Sequence, residues 1–187
     1  KPDVIHAHWI LPQGFTAAIV SKLLGIPVVV TAHAGDVFPL NNFLFRLVSR
    51  VALNSAAAIT VNSAFTKSAV AKITRKPISV IPMGVDLKLF SSASSAAAAA
   101  VRKKFSVKGK LLLFVGRLAE KKGVTYLISA MAAVAKKQPS VKLVIVGDGP
   151  ERQPLQQQVQ MLGLSTSVVF AGSGSNSGLP SYYKAAD

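Results

Sequence analysis

The sequence predicts an α/β fold built from two parallel-sheet units. Three observations carry this. Short apolar runs of strand length alternate with stretches whose apolar residues recur at helical spacing, along most of the 187 residues. The strand-like runs are apolar at consecutive positions rather than at every second one, as strands covered on both faces require. The alternation stops once, over residues 83–100, and then resumes. Chains that alternate in this way form parallel sheets with helices as crossovers.

The elements follow in order. Val4-Ile5-His6-Ala7-His8 predicts a strand, and Phe15 to Leu24 a helix stopped by Gly25. Pro27 to Thr31 is β-branched and short, a strand. His33 to Asn41, with Gly35 and Pro39, is a loop. Asn42 can cap a helix with apolar positions Leu44, Leu47, Val48 and Val51. Ala58 to Val61 is a strand, Ser63 can cap the helix running to Ile73, and Ile78 to Ile81 is a strand closed by Pro82 and Gly84. Ser91 to Ser95 and the five alanines after them mark a linker whose end starts a helix running to Phe105. Leu111 to Val115 is a buried strand, and Val124, Leu127, Ile128, Met131 and Val134 form a helical stripe. Val141 to Val146 is a strand ending in the turn Gly147-Asp148-Gly149-Pro150, and the next helix turns Leu155, Val159 and Leu162 inward. Val168 to Ala171 is a strand, a Gly/Ser loop follows, and a last helix starts near Leu179.

Composition narrows the chemistry. Cysteine is absent, which excludes disulfides, thiolate metal sites and cysteine nucleophiles. No apolar run reaches the length of a bilayer-spanning helix, nothing at the start resembles a signal peptide, and both ends are expected to be cuts through a larger fold. A cytoplasmic location is expected. The net charge is +15: residues 1–85 carry eight Lys/Arg against two Asp, and residues 86–187 carry fourteen against five Asp/Glu. That balance suits an anionic ligand or an anionic lipid surface. A nucleic-acid partner is not expected, because Trp9 and the three tyrosines are not interleaved with the basic run from Arg102 to Lys122.

The stretch Gly116-Arg117-Leu118-Ala119-Glu120-Lys121-Lys122-Gly123 lies between a strand and a helix. Ligands of open α/β sheets bind at such crossings, outside the carboxyl ends of the strands. The glycines allow close approach, the helix start favours an anion, and Arg117 and Lys122 add full charges. A solvated basic turn is the competing reading. Other nucleotide signatures are weak. There is no P-loop, Gly147-Asp148-Gly149 has Arg152 where a third glycine belongs, and Gly172-Ser173-Gly174 has Ser177 there. His6 and His8 share one side of a strand but lack a third metal ligand at suitable spacing, so they read as polar residues at a strand end. His33 directly follows a strand, where ligands are met; a structural histidine is the alternative.

Taken together, the chain resembles the retaining nucleotide-sugar glycosyltransferases of glycosyltransferase family 4, which have the GT-B fold. Asp3-Val4-Ile5-His6-Ala7-His8 is similar to that family's D-V-x-H-A-H strand. Thr31-Ala32-His33-Ala34-Gly35-Asp36 is similar to its T-x-H-G-x-D loop, with Ala34 in place of glycine. Ile81 to Asp86 with Phe90, Gly116-Arg117-Leu118 with Lys122-Gly123, Val146 to Pro150, and Leu179 to Asp187 resemble its remaining segments, in the family's order.

The resemblance implies two Rossmann-like parallel-sheet units facing a cleft, incomplete at both termini. Residues 1–85 would be the later part of the acceptor-side domain and residues 86–187 the earlier part of the donor-binding domain. It implies transfer of a sugar from a nucleotide-diphosphate sugar to an acceptor, with retention and without a metal or other cofactor. Arg117 and Lys122 would grip the donor diphosphate, with Gly116 making room. His33 would reach the donor sugar, Gly172 and Ser173 would lie by the nucleobase, and Asp86 would be structural. The family's glycine-rich loop would precede Lys1 and its E-x7-E segment would follow Asp187. The acceptor would be a sugar, a lipid-linked molecule or a small molecule; the basic charge, separately, would suit a lipid-linked acceptor or peripheral association with the inner face of a membrane. A non-catalytic nucleotide-sugar-binding protein, or an inactive fragment, is the alternative.

Overall fold

Parallel neighbours in a sheet cannot be joined by a hairpin, and here a helix runs between each pair of consecutive strands. The computed structural model describes residues 2–36 and 42–187. They form two compact units, Lys1–Gly84 and Val85–Asp187. The last part of the expected loop, residues 37–41 with Pro39, and Lys1 lie outside the described residues.

In the first unit, strands β1 (Ile5–His8), β2 (Val28–Ala32), β3 (Ala58–Val61) and β4 (Ile78–Val80) lie in sequence order, all parallel. Helices α1 (Phe15–Leu24), α2 (Phe43–Ser55) and α3 (Ala64–Val70) join them. Val28, Val30, Ala32, Ile59 and Val61 are buried in one cluster with Ala52, Leu53 and Ile10. Gly25 takes the left-handed conformation (φ 64°) that ends α1. Asn42 and Ser63 cap α2 and α3, accepting from Leu44 N at 2.9 Å and Thr66 N at 3.2 Å. Each such cap contributes about 1 kcal/mol.

The second unit opens with α4 (Leu87–Ser91) and α5 (Ser95–Lys104). Strands β5 (Leu111–Val115), β6 (Lys142–Val146) and β7 (Val168–Gly172) follow in order, again parallel, with α6 (Val124–Lys137), α7 (Arg152–Met161) and α8 (Leu179–Ala185). Central strand β6 feeds two cores. Leu143 and Ile145 pack with Ile128, Met131, Leu155 and Val159, while Val144 and Val146 pack with Leu111, Val101, Phe105 and Ala185. Side chains alternate between the faces of a strand, so a strand covered on both sides must be apolar at every position.

Several positions differ from expectation. On α2 the buried residues are Ser49, Ala52 and Leu53, whereas Leu44, Leu47 and Val51 are about half exposed or more. The helix lies on its small-residue side, which lets it approach α1 closely. Leu162 caps α7 and is exposed; Leu164, beyond the turn, fills that place in the core. The stretch expected as linker contains α4, capped by Asp86 accepting from Leu89 N at 3.0 Å. The helix after Ser63 stops at Val70.

Asp187 ties the far end of the second unit to the start of its sheet. Its carboxylate accepts from Leu111 N at 2.8 Å and pairs with Arg102 at 3.0 Å and Lys110 at 3.1 Å. These partners, the Leu111 N–H foremost, hold its carboxyl well below the usual carboxylate range. Such a group stabilises the fold above the unfolded carboxylate value near 3.8 and loses that contribution as pH falls further. Thermal melting of the second unit should therefore drop on acidification below about pH 4. Asp187→Asn should melt lower at neutral pH and lose less on acidification; identical pH profiles for the two proteins would refute this. Backbone crowding gives a second expectation. A Cβ on Gly147 (φ 147°) would overlap the Gly116 carbonyl, whereas Gly163 (φ 66°) faces open space. Gly147→Ala should cost more than about 3 kcal/mol by denaturant unfolding, and Gly163→Ala only about 1–2 kcal/mol.

Candidate functional site

At the carboxyl edge of the second sheet, three crossings lie side by side. The register pairs Val115 with Val146 and Val146 with Gly172, so Gly116, Gly147 and Ser173 leave their strands at one level. The first two crossings are laced by main-chain bonds. Gly116 N donates to Val146 O (3.0 Å), Leu118 N to Asp148 O (2.9 Å) and Glu151 N to Leu118 O (3.1 Å). Gly147 N donates to Gly172 O at 2.8 Å, which brings the third crossing alongside. Gly147 and Gly149, with φ of 147° and 158°, pass against the Gly116 and Leu118 carbonyls where no Cβ fits. Leu118 turns inward and is fully buried.

Arg117 therefore stands on a fixed backbone while its side chain is exposed. After it, Glu120–Lys122 make one tight turn, and Gly123 (φ 64°) starts α6 with no side-chain cap. Lys122 is also exposed, and neither its side chain nor that of Arg117 has a hydrogen-bond or ion-pair partner among the described residues. The nearby acid is already committed. Asp148 accepts from Gly149 N at 2.8 Å and pairs with Arg152 at 2.8 Å; the Gly149 N–H first, then Arg152, hold its carboxyl low. Gly172 (φ 78°) ends β7, and Ser173 is exposed beyond it; β6 separates the pair from Gly116. A hollow of about 400 Å³ beside the crossing is lined by Lys121, Thr125, Tyr126 and Glu151. Its walls include two acids, Glu120 and Glu151, with Lys121, so it does not match the pair of free cations.

The first unit holds His33 at the carboxyl end of β2. Its main-chain N–H donates to Asp36 Oδ2 at 2.7 Å, and Ile10 N donates to Asp36 Oδ1 at 3.3 Å. One buried carboxyl thus ties the ends of β1 and β2 together. Burial pushes its pKa up, against the lowering effect of those two N–H groups. His33 Nε2 lies 3.1 Å from His8 Nδ1, so one ring donates and the other accepts. The His6 and His8 rings are 4.5 Å apart, and His6 Nε2 meets Thr31 Oγ1 at 2.7 Å, which meets Thr60 Oγ1 at 2.6 Å. Trp9, whose ring centre is 6.0 Å from that of His33, has φ 80°, a conformation bulky residues rarely adopt. Among the described residues no three ligating side chains could hold a metal ion.

Two residues of this arrangement escape sequence reasoning. His8 was visible as a strand-end histidine, but its partnership with His33 needed the β1–β2 register, which sets His8 opposite Thr31. Asp36 stood in a motif without a role. The other sites fall where the strand-to-helix pattern put them: Gly116, Arg117, Lys122, Gly172 and Ser173 on the second unit's carboxyl edge, His33 on that of the first.

Two family models match the chain, one over each half. Residues 1–89 match the family described as Glycosyltransferase Family 4, and residues 98–187 match Glycosyl transferases group 1. The 2-deoxystreptamine glucosyltransferase of Streptomyces kanamyceticus is 30% identical over 205 residues, covering 99% of this chain and 52% of that protein. The alpha-monoglucosyldiacylglycerol synthase of Acholeplasma laidlawii is 28% identical over 207 residues, 100% of this chain and 52% of that one. The crystal structure of Anabaena Alr3699/HepE in complex with UDP superposes with a TM-score of 0.82 at 27% identity, covering 99% of this chain and 51% of the other. The chain spans about half the length of the curated relatives it matches.

Proposed function

We propose that this chain, which belongs to the glycosyltransferases of family 4 and group 1, grips the diphosphate of a nucleotide-sugar donor with Arg117 and Lys122 and serves transfer of the sugar to an acceptor hydroxyl with retention. The observation that carries this is a pair of exposed cations, without a partner among the described residues, on a rigid crossing that opens α6. The Anabaena relative, crystallised with UDP, supports the choice of a nucleoside diphosphate.

The chemistry follows from charge. The bond between the sugar's anomeric carbon and the phosphate oxygen breaks as the acceptor oxygen bonds to that carbon, and the acceptor proton passes to the leaving phosphate oxygen. Negative charge grows on the diphosphate. Cations held there in advance stabilise the transition state more than the ground state. Arg117 can bind two phosphate oxygens at once, and Lys122 supplies a point charge. Two permanent cations take the part a divalent ion plays elsewhere, so we assign a metal-independent reaction. Gly116 leaves room for the phosphates. His33 is assigned to the donor sugar, and Gly172 with Ser173 to the nucleobase. Residues 1–85 are assigned to the acceptor side and residues 86–187 to the donor side.

No helix among the described residues is long and apolar enough to cross a membrane. The positive charge and the glucosyldiacylglycerol-forming relative support peripheral association with an anionic membrane face.

Arg117→Ala and Lys122→Ala should each lower turnover in the full-length protein by roughly 10²–10³-fold at saturating donor. Turnover within a few-fold of the parent would overturn the assignment. Transfer should also survive a metal chelator; activity lost to the chelator and restored by a divalent ion would contradict the metal-independent reading.

A further inference from the structure

A cavity of about 250 Å³ opens in the first unit, beside the loop that carries His33. Trp9, Leu11, Pro12, Gly35 and Phe45 give it apolar walls. Asp36 also borders it, but both carboxylate oxygens are taken by main-chain N–H groups. Among the described residues the other polar side chain at its wall is Ser49, in the middle of α2. Ser49 is 1% exposed, and its hydroxyl has no hydrogen-bond partner among the described residues. That is unusual, because a helical serine ordinarily bonds back to the carbonyl one turn earlier. Ser55 and Ser68 in this chain do so, at 2.8 and 3.1 Å. A buried hydroxyl left without a partner calls for an explanation, and at the wall of a cavity a bound molecule supplies one. Apolar walls with one placed polar group are the usual make-up of a ligand pocket.

The helix that provides Phe45 and Ser49 continues the theme outside the cavity. Phe43, Leu44 and Leu47 are exposed on it, as are Arg46 and Arg50. A second hollow, of about 210 Å³, is lined by Phe43, Leu47, Arg46, Arg50 and Lys72. None of these three cations has an acidic partner among the described residues. Apolar side chains interleaved with uncompensated positive charge complement an anionic amphiphile, and in the cavity itself a free sugar would leave most of its hydroxyls against apolar walls.

We propose that the cavity between Trp9 and α2 is an acceptor subsite that takes the apolar chain of a lipid-type acceptor, with Ser49 Oγ bonding the polar group that joins the chain to the reacting part. Its designation as an acceptor subsite rests on the glycosyltransferase reading; the cavity's preference for an alkyl chain does not.

Trp9 is the only tryptophan in the chain, so its emission reports on the cavity without any turnover. Titration with n-octyl β-glucoside below its micelle concentration should change Trp9 emission saturably, while glucose at equal concentration should not. Ser49→Leu, which fills the cavity, should weaken the response at least about tenfold. Ser49→Ala, which keeps the volume and the helix, should weaken it about threefold. Equal responses to glucose and octyl glucoside, or an unchanged response in Ser49→Ala together with a folded Ser49→Leu, would overturn the proposal. In turnover, Ser49→Ala should raise KM for an alkyl-linked acceptor and leave donor hydrolysis and donor KM alone; a changed donor KM would count against it. If Arg117→Ala retains full turnover while octyl glucoside still moves Trp9, the donor assignment fails and the alkyl site stands. If the Arg117 result holds and Trp9 stays silent, only the alkyl site fails.

Discussion

Two stretches of backbone in direct contact hold the second unit's edge together. The turn after β6 lies against the crossing after β5 so closely that Gly147 and Gly149 cannot carry a Cβ. In that contact the main chains share hydrogen bonds, and Leu118 is driven fully into the core. The consequence is positional. Arg117 projects from a residue fixed on both sides, and the chain then tightens through Glu120–Lys122 before α6 begins. A cation on a mobile loop would have to be ordered by its ligand, and that ordering would subtract from the binding energy. A cation on a laced crossing is already in place when charge develops.

The scarcity of acidic residues completes this picture. The chain has seven Asp and Glu against 22 Lys and Arg, and four of the seven, Asp36, Asp86, Asp148 and Asp187, accept hydrogen bonds from main-chain N–H groups. Asp36 joins two strand ends, Asp86 starts a helix, Asp148 shapes a turn and Asp187 clamps the start of β5. Carboxylates spent on backbone are not available to neutralise Arg117, Lys122, Arg46 or Arg50. The net charge is set by composition, but the placement of the acids leaves Arg117 and Lys122 on one unit and Arg46 and Arg50 on the other without an acidic partner among the described residues.

Much of this was legible in the residues. The apolar runs located the strands because a parallel strand is buried on both faces, and Asn42, Ser63 and Gly25 marked helix ends by local chemistry alone. The crossing at Gly116 stood out because glycine, arginine and lysine cluster between a strand and a helix. Less legible was the face each helix turns inward. The stripe Leu44, Leu47, Val51 is apolar and correctly spaced, yet α2 buries Ser49, Ala52 and Leu53. Periodicity assumes that an apolar stripe meets a core, and only the packing partner decides whether one is there.

By itself, then, the sequence determined the order and type of the strands and of every helix but α4, the division near residue 85 and the basic crossing, because strand burial, helix capping and glycine turns act within a few residues. Tertiary structure decided the rest. The His8–His33 contact and the Asp36 tie each join residues about 25 positions apart, and both depend on the β1–β2 register. The unpartnered Ser49 hydroxyl and the cavity beside it exist because α2 approaches through its small residues. Those features arise where separate elements meet, and no local pattern of amino acids encodes a meeting of that kind.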